Sequence, residues 1–403
     1  MKITNRSKLL TLFYQIMVFN AILNSSQFSK IPYFSLFTRA VLLTLVFAGT
    51  LVWFVGNRKI NKALATVVLI LIAVSLIVMK ESNSRIAIIM LLYLMIIHRD
   101  VDPKYFCKKY VEAAVIALSI VFVLCLIGVF PNEYRYRIAS TGLIQNRYYL
   151  GFNYSTASPN FAFHVSLAYL FYKQDKFKLK DAILILIPNT ILYILTDTRA
   201  AYFEVIFAIL IFWIFKVIKR DWFKKVIGTI SIWAMPIFAG AELYIANNYT
   251  TSNPVYVLMD ATLSYRLSWV ARALKAYPIG LFGNNITWEA TAYSETSQLV
   301  DMFYLRCAIQ YGLIFLFVVI IGFMGVSAYF KLKENYFGCV IILTLAMHSI
   351  TDPQLLEYSC VPLLIMLLTG YKTILDSFKL RSREKLRRAY AQLNDARQPL
   401  NKM

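Results

Sequence analysis

Charge is what this 403-residue sequence has least of, acidic charge above all: 16% of its residues are charged, with 21 Asp and Glu against 42 Lys and Arg. A soluble domain is about a quarter charged, and no polar block is long enough to form one. Cysteine is sparse too. Cys107, Cys125, Cys307, Cys339 and Cys360 show neither paired nor metal-type spacing. Most sit in or beside apolar runs, where a thiol acts as a small hydrophobe. The sequence also lacks any His-x-x-x-His or Cys-x-x-Cys pair and any glycine-rich phosphate loop. It therefore gives no support for a metal or cofactor. Met1–Lys8 is basic and precedes a hydrophobic segment, but no small-residue cleavage site follows. That segment is expected to be a first span, not a removed signal peptide.

What the chain has is apolar length. Hydrophobic residues make up 59%, and the mean hydropathy is +0.60. Ala63–Met79, Val111–Phe130 and Tyr202–Ile218 run almost uncharged for roughly a bilayer core. Continuous runs without period-2 alternation mean helices, not a barrel. The expected fold is an all-α polytopic bundle of about twelve spans forming a single membrane domain. The spans fall near 9–25, 32–55, 63–79, 83–98, 111–130, 159–172, 182–196, 201–218, 226–245, 301–330, 338–350 and 360–376. No internal repeat is evident.

The net charge of +21 is a matter of placement. Lys and Arg crowd every second polar break: around Lys2–Lys8, Arg58–Lys62, Arg99–Lys109, Lys173–Lys180, Lys216–Lys225 and Lys331–Lys333, then the tail at 377–403. This is the positive-inside pattern. It predicts both termini in the cytoplasm and explains the basicity without nucleic acid. Non-membrane length is spent on the other face, in outer loops at 131–158 and 245–300. In the second loop Leu263, Leu267, Val270 and Leu274 form one stripe. This predicts an amphipathic helix near 260–277, N-capped by Asp260 and ended by Pro278, able to lie on the membrane surface. Short spans whose outer ends carry Asn160 and His164, Asp197 and Arg199, and His348 and Asp352 predict a hollow roofed by the loops.

Arginines are the informative outer residues: Arg135, Arg137, Arg147, Arg199, Arg266, Arg272 and Arg306. The planar guanidinium fork suits phosphate and diphosphate oxygens. For the loop arginines the plainer reading, pairing with lipid phosphates or carboxylates, carries more weight. Arg199 and Arg306 lie within or against spans, where function and structure weigh equally. His164 fits an interhelical hydrogen bond. His348 fits either such a bond or a base for an acceptor hydroxyl. Arg39 and Glu204 are further intramembrane charges, Glu204 being placed to neutralise Arg199 or another cation. Asp100-Val-Asp102 resembles a nucleotide-sugar metal motif but reads as a solvated charge cluster on the cytoplasmic side. Tyr148, Tyr149, Tyr154, Trp269 and Trp288 suit sugar stacking, or more plainly an interfacial belt.

Several segments resemble the bacterial polysaccharide repeat-unit polymerases (the Wzy family). Arg147-Tyr-Tyr-Leu-Gly-Phe followed by Ser158-Pro159-Asn160 resembles its "LGF…HPN" segment. Thr196-Asp-Thr-Arg199 is similar to its "T-x-S-R" turn. Arg266, then Leu281-Phe-Gly283, then Asp301-Met-Phe-Tyr304 and Tyr311-Gly312 are similar to its "R…lfG…DN-x-Y…G" stretch. Ser158 stands where relatives often have His, and Met302 where they often have Asn. The resemblance implies a GT-C-type glycosyltransferase of the bacterial cytoplasmic membrane, related to O-antigen ligases. It would transfer a glycan from undecaprenyl diphosphate to another lipid-linked repeat unit at the outer face, without metal. Arg199, His348 and Asp301 would be catalytic. Arg135, Arg137, Arg147, Asn160, Asp197, Arg266, Arg272 and Arg306 would bind substrate. A flippase and a chain-length regulator would be its partners. The alternatives are a ligase using another acceptor and, in a different class, a lipid-linked oligosaccharide flippase. The missing repeat and the one-sided polar residues disfavour transport.

Overall fold

The structure is a computed structural model that describes residues 4–55, 62–82, 85–138, 144–218, 220–286 and 300–379. Trp288 and the tail from residue 380 lie outside the described residues. The helices in chain order are α1 (Asn5–Asn24), α2 (Phe34–Val55), α3 (Lys62–Glu81), α4 (Arg85–Ile97), α5 (Pro103–Leu126), α6 (Ala157–Lys173), α7 (Leu179–Thr196) and α8 (Arg199–Val217). They continue with α9 (Asp221–Asn247), α10 (Pro254–Thr262), α11 (Arg266–Ala276), α12 (Phe303–Gln310), α13 (Leu313–Leu332), α14 (Tyr336–His348) and α15 (367–379). Among the described residues seven helices, α2, α3, α5, α7, α8, α9 and α13, are long and apolar enough to cross a membrane, and α4 and α14 are shorter apolar helices. The chain is therefore a membrane-embedded helical bundle.

Burial grades across it. α13 buries 56% of its apolar window inside the protein, whereas α2 and α3 bury 17%. Leu36, Phe37, Leu43, Phe47 and Phe54 stay exposed along α2, a surface that only lipid makes tolerable. Arg39 stands on the same exposed helix. At the centre, small residues let backbones touch: a Cβ on Gly325 would meet the Gly370 carbonyl oxygen at 2.2 Å. Close packing of this kind replaces the hydrophobic effect, which lipid removes between helices.

The Asp-Val-Asp triplet is absorbed by local structure. Asp102 caps α5, its Oδ2 accepting from the Tyr105 amide at 2.8 Å, and Pro103 opens the helix. Asp100 pairs with Arg99 at 3.1 Å.

Three expectations need correcting. The span expected over 301–330 is two helices, broken at Gly312, whose φ is 88°. Residues 280–283 fill the break. Leu313 donates to the Gly280 carbonyl at 3.0 Å and Ile314 to that of Leu281 at 3.2 Å, so loop backbone satisfies the start of α13. Glu242 of α9 is buried near the Leu305 amide in the first turn of α12 without a hydrogen-bond partner among the described residues.

The amphipathic helix expected over 260–277 is also two, turned at Ser264 and Tyr265, both left-handed. Asp260 caps from across that turn: its Oδ1 accepts from the Ser268 amide at 3.1 Å and its Oδ2 from the Tyr249 hydroxyl at 3.0 Å. The stripe packs on protein, with Leu267, Val270 and Ala273 buried against Ala246, Val300, Met302 and Leu305.

The loop between α5 and α6, third, holds an antiparallel hairpin of β1 (Tyr134–Ile138) and β2 (Ile144–Tyr148), so the fold is not wholly helical. Its register pairs Tyr134 with Tyr148 and Tyr136 with Asn146 on one face, and Arg135 with Arg147 and Arg137 with Gln145 on the other. The strict Tyr-Arg alternation is a period-2 signal. It was legible in the sequence.

Candidate functional site

The site gathers where α5, α7, α9 and α14 end and α6 and α8 begin. The opposite end carries lysine pairs such as Lys173 with Asp181 at 3.1 Å and Lys331 with Thr229 at 2.7 Å.

His348 is the last residue of α14 and is buried. Phe163 of α6 stacks on its ring at 3.9 Å between centroids, and His164 presses against it nearly perpendicular at 5.5 Å. Its Nδ1 lies 2.6 Å from Glu204 Oε2 of α8. Its Nε2 lies 3.9 Å from Asp352 Oδ1 and makes no hydrogen bond among the described residues. Asp352 is fixed in its turn. Oδ1 accepts from the Gln354 amide at 2.9 Å, and Oδ2 accepts from the side chain of Asn160, in the first turn of α6. Three chain-distant segments thus converge on one imidazole. Arg266, opening α11, is an electrostatic neighbour of both His348 and Asp352, and Asp301 is one of Asp352.

Arginine builds a second group beside it. Arg147 of β2 donates from Nε to the Thr196 carbonyl at 2.6 Å and from Nη2 to Thr198 Oγ1 at 3.3 Å. This fastens the hairpin to the α7–α8 turn. The turn is tight because Asp197 adopts φ 47°, a left-handed conformation that Asp visits more readily than most residues. Arg199 donates from Nε to Asp197 Oδ1 at 3.1 Å, and its side chain is 53% exposed.

Arg147, Asp197 and Arg199 therefore meet at one turn, and Asn160, His348 and Arg266 at the neighbouring imidazole, with Asp301 beside Asp352. Arg135 sits opposite Arg147 in the hairpin register. Arg137 follows in β1, its side chain outside the described part. Arg306 is an electrostatic neighbour of Glu357, one segment beyond Asp352. Arg272 stands apart, near Tyr249. Burial first, and then the hydrogen bond to Asp260, raise the Tyr249 hydroxyl above its ordinary pKa.

Glu204 is the residue whose partner sequence reasoning left open. It pairs with His348, while Arg199 takes Asp197 instead. The only local signal was a lone carboxylate five residues after Arg199 in an apolar run, which marks it as needing a partner without naming one.

These features define a membrane-embedded helical bundle with a buried imidazole–carboxylate network and an arginine-bearing turn at one end. No family model matches the chain, and no curated protein matches it.

Proposed function

We propose that the chain is a glycosyltransferase that polymerises undecaprenyl-diphosphate-linked oligosaccharide repeat units at the outer face of the bacterial cytoplasmic membrane. The observation that carries this reading is His348, buried with Nδ1 engaged by Glu204 and Nε2 unengaged, beside Arg266 and one helix away from the Arg147–Arg199 turn. An imidazole so held can take a proton, and guanidiniums nearby can hold departing phosphates. The resemblance of the Thr196–Arg199, Leu281–Gly283 and Asp301–Gly312 segments to repeat-unit polymerases supports the same chemistry.

In this reading the bundle crosses the membrane twelve times with both termini cytoplasmic, as the lysine-rich opposite end favours. Arg199, with Arg147 and Arg266, stabilises the diphosphate leaving group. His348 takes the proton of the acceptor hydroxyl, and the acceptor oxygen attacks the anomeric carbon. The bond from that carbon to the diphosphate oxygen breaks, and undecaprenyl diphosphate leaves with the electron pair. Asp301 acts through Asp352. Arg135, Arg137, Asn160, Asp197 and Arg306 bind donor and acceptor, and Arg272 binds them from its separate place near Tyr249. Two lipid-held substrates brought side by side supply orientation.

The test is direct. Purified protein is incubated with a synthetic undecaprenyl-diphosphate repeat unit, and the products are resolved by size. A ladder supports polymerisation. A single transfer to a different acceptor points to a ligase. Cells lacking the protein should collect single lipid-linked units at the outer face; units trapped inside would favour a flippase and overturn the reading.

A further inference from the structure

Two carboxylates flank the His348 ring, unequally. Glu204 is within hydrogen-bond distance of Nδ1 at 2.6 Å, whereas Asp352 stands 3.9 Å from Nε2 with its own oxygens engaged by Gln354 and Asn160. A carboxylate only accepts, so a neutral ring beside Glu204 must carry its proton on Nδ1. The ring cannot turn over freely, because Phe163 covers its face and His164 abuts it. That leaves Nε2 as a buried lone pair without a partner among the described residues, an arrangement that calls for an explanation in use.

We propose that Glu204 is a positioning residue that fixes His348 in its Nδ1–H form and thereby makes Nε2 the atom that receives the acceptor's proton. The inference rests on the transferase reading and adds which nitrogen acts and what sets it. As the sugar O–H bond breaks, its proton passes to Nε2 and the oxygen bonds to the anomeric carbon. The resulting imidazolium lies between Glu204 and Asp352, whose charges favour it. Arg266 is a cationic neighbour of the ring and opposes that charge less than the two carboxylates favour it.

The chain has three histidines, which makes the ring directly observable. In protein labelled with 15N-histidine, the signal lost in His348→Gln identifies His348. Its nitrogen shifts should report Nδ1–H in the unsubstituted protein. In Glu204→Gln, whose amide both donates and accepts, the Nε2–H form should gain population. The same variant should lower kcat for ladder formation on the order of 10²–10⁴-fold, the range seen when a catalytic base is lost or set in the wrong tautomer. KM for the lipid-linked donor should move by less than about threefold, since ground-state binding is untouched. Glu204→Asp, which keeps the acceptor, should recover part of the loss. An Nε2–H signal in the unsubstituted protein overturns the proposal with no variant needed. So does a Glu204→Gln protein of near-normal kcat. An Nδ1–H signal in a protein that builds no ladder would sustain the proton placement and sink the transferase reading.

Discussion

Replacing Gly312 by alanine tests how the broken α12–α13 segment is held. At φ 88° an L-residue is strained, and the added Cβ would stand 2.3 Å from the Leu281 carbonyl oxygen and 2.5 Å from the Gly283 nitrogen. Both are backbone atoms, so neither can swing aside. The strain contributes about 1–3 kcal/mol. Pushing residues 280–283 away also breaks the bonds from Leu313 to Gly280 and from Ile314 to Leu281, each worth about 1 kcal/mol. The expected destabilisation is about 3–5 kcal/mol, near the upper end for a single substitution. Gly128→Ala is the control: φ is 79°, yet nothing among the described residues lies within 4 Å of the added carbon, so only the strain applies. Thermal unfolding of both purified variants in one detergent, followed by loss of the monodisperse peak, compares them. Equal midpoints would mean that the loop does not fill the break, and the account of α13's first turn would fail.

Other outcomes follow from the site. Arg199→Ala should abolish polymer while protein levels persist, because its exposed pair with Asp197 contributes under about 1 kcal/mol to stability; a normal ladder removes Arg199 from the chemistry. Arg147→Lys keeps the charge but cannot reproduce both Thr196 and Thr198 bonds. It should cost about 1.5–3 kcal/mol, read as earlier proteolysis at the hairpin; unchanged cleavage refutes the clasp. Asn160→Asp sets a second carboxylate against Asp352 and should destabilise by several kcal/mol, well beyond Asn160→Ala, the order of the two melting points being the check. In a cysteine-free background, Asp197→Cys and Lys178→Cys should react with impermeant reagents from opposite sides of sealed vesicles; labelling from one side would break the assigned topology.

The helices were legible because lipid leaves a backbone little choice, and long uncharged runs mark where that choice is made. Breaks inside such runs were not. Gly312 interrupts an apolar run and the Ser264–Tyr265 turn an amphipathic stripe, neither marked by a proline, and loop 280–283, which makes the first possible, is remote in sequence. The site was legible as a set of residue types, not as pairs. His348 and Glu204 lie 144 residues apart and Arg147 and Thr196 lie 49 apart, so only packing of α14 on α8 and of β2 on α7 brings the two pairs together. The hairpin was the reverse case, its alternation plain in the sequence and lost among arginines read one at a time.

That alternation makes the hairpin sensitive to length. Its strands keep a binary frame, odd positions of β1 facing one way and even positions the other. One inserted or deleted residue ahead of Arg147 would swing its guanidinium off Thr196 and bring a neighbouring side chain round to the α7–α8 turn. Drift of composition along either strand can be absorbed, but a change of count cannot, unless a bulge restores the parity.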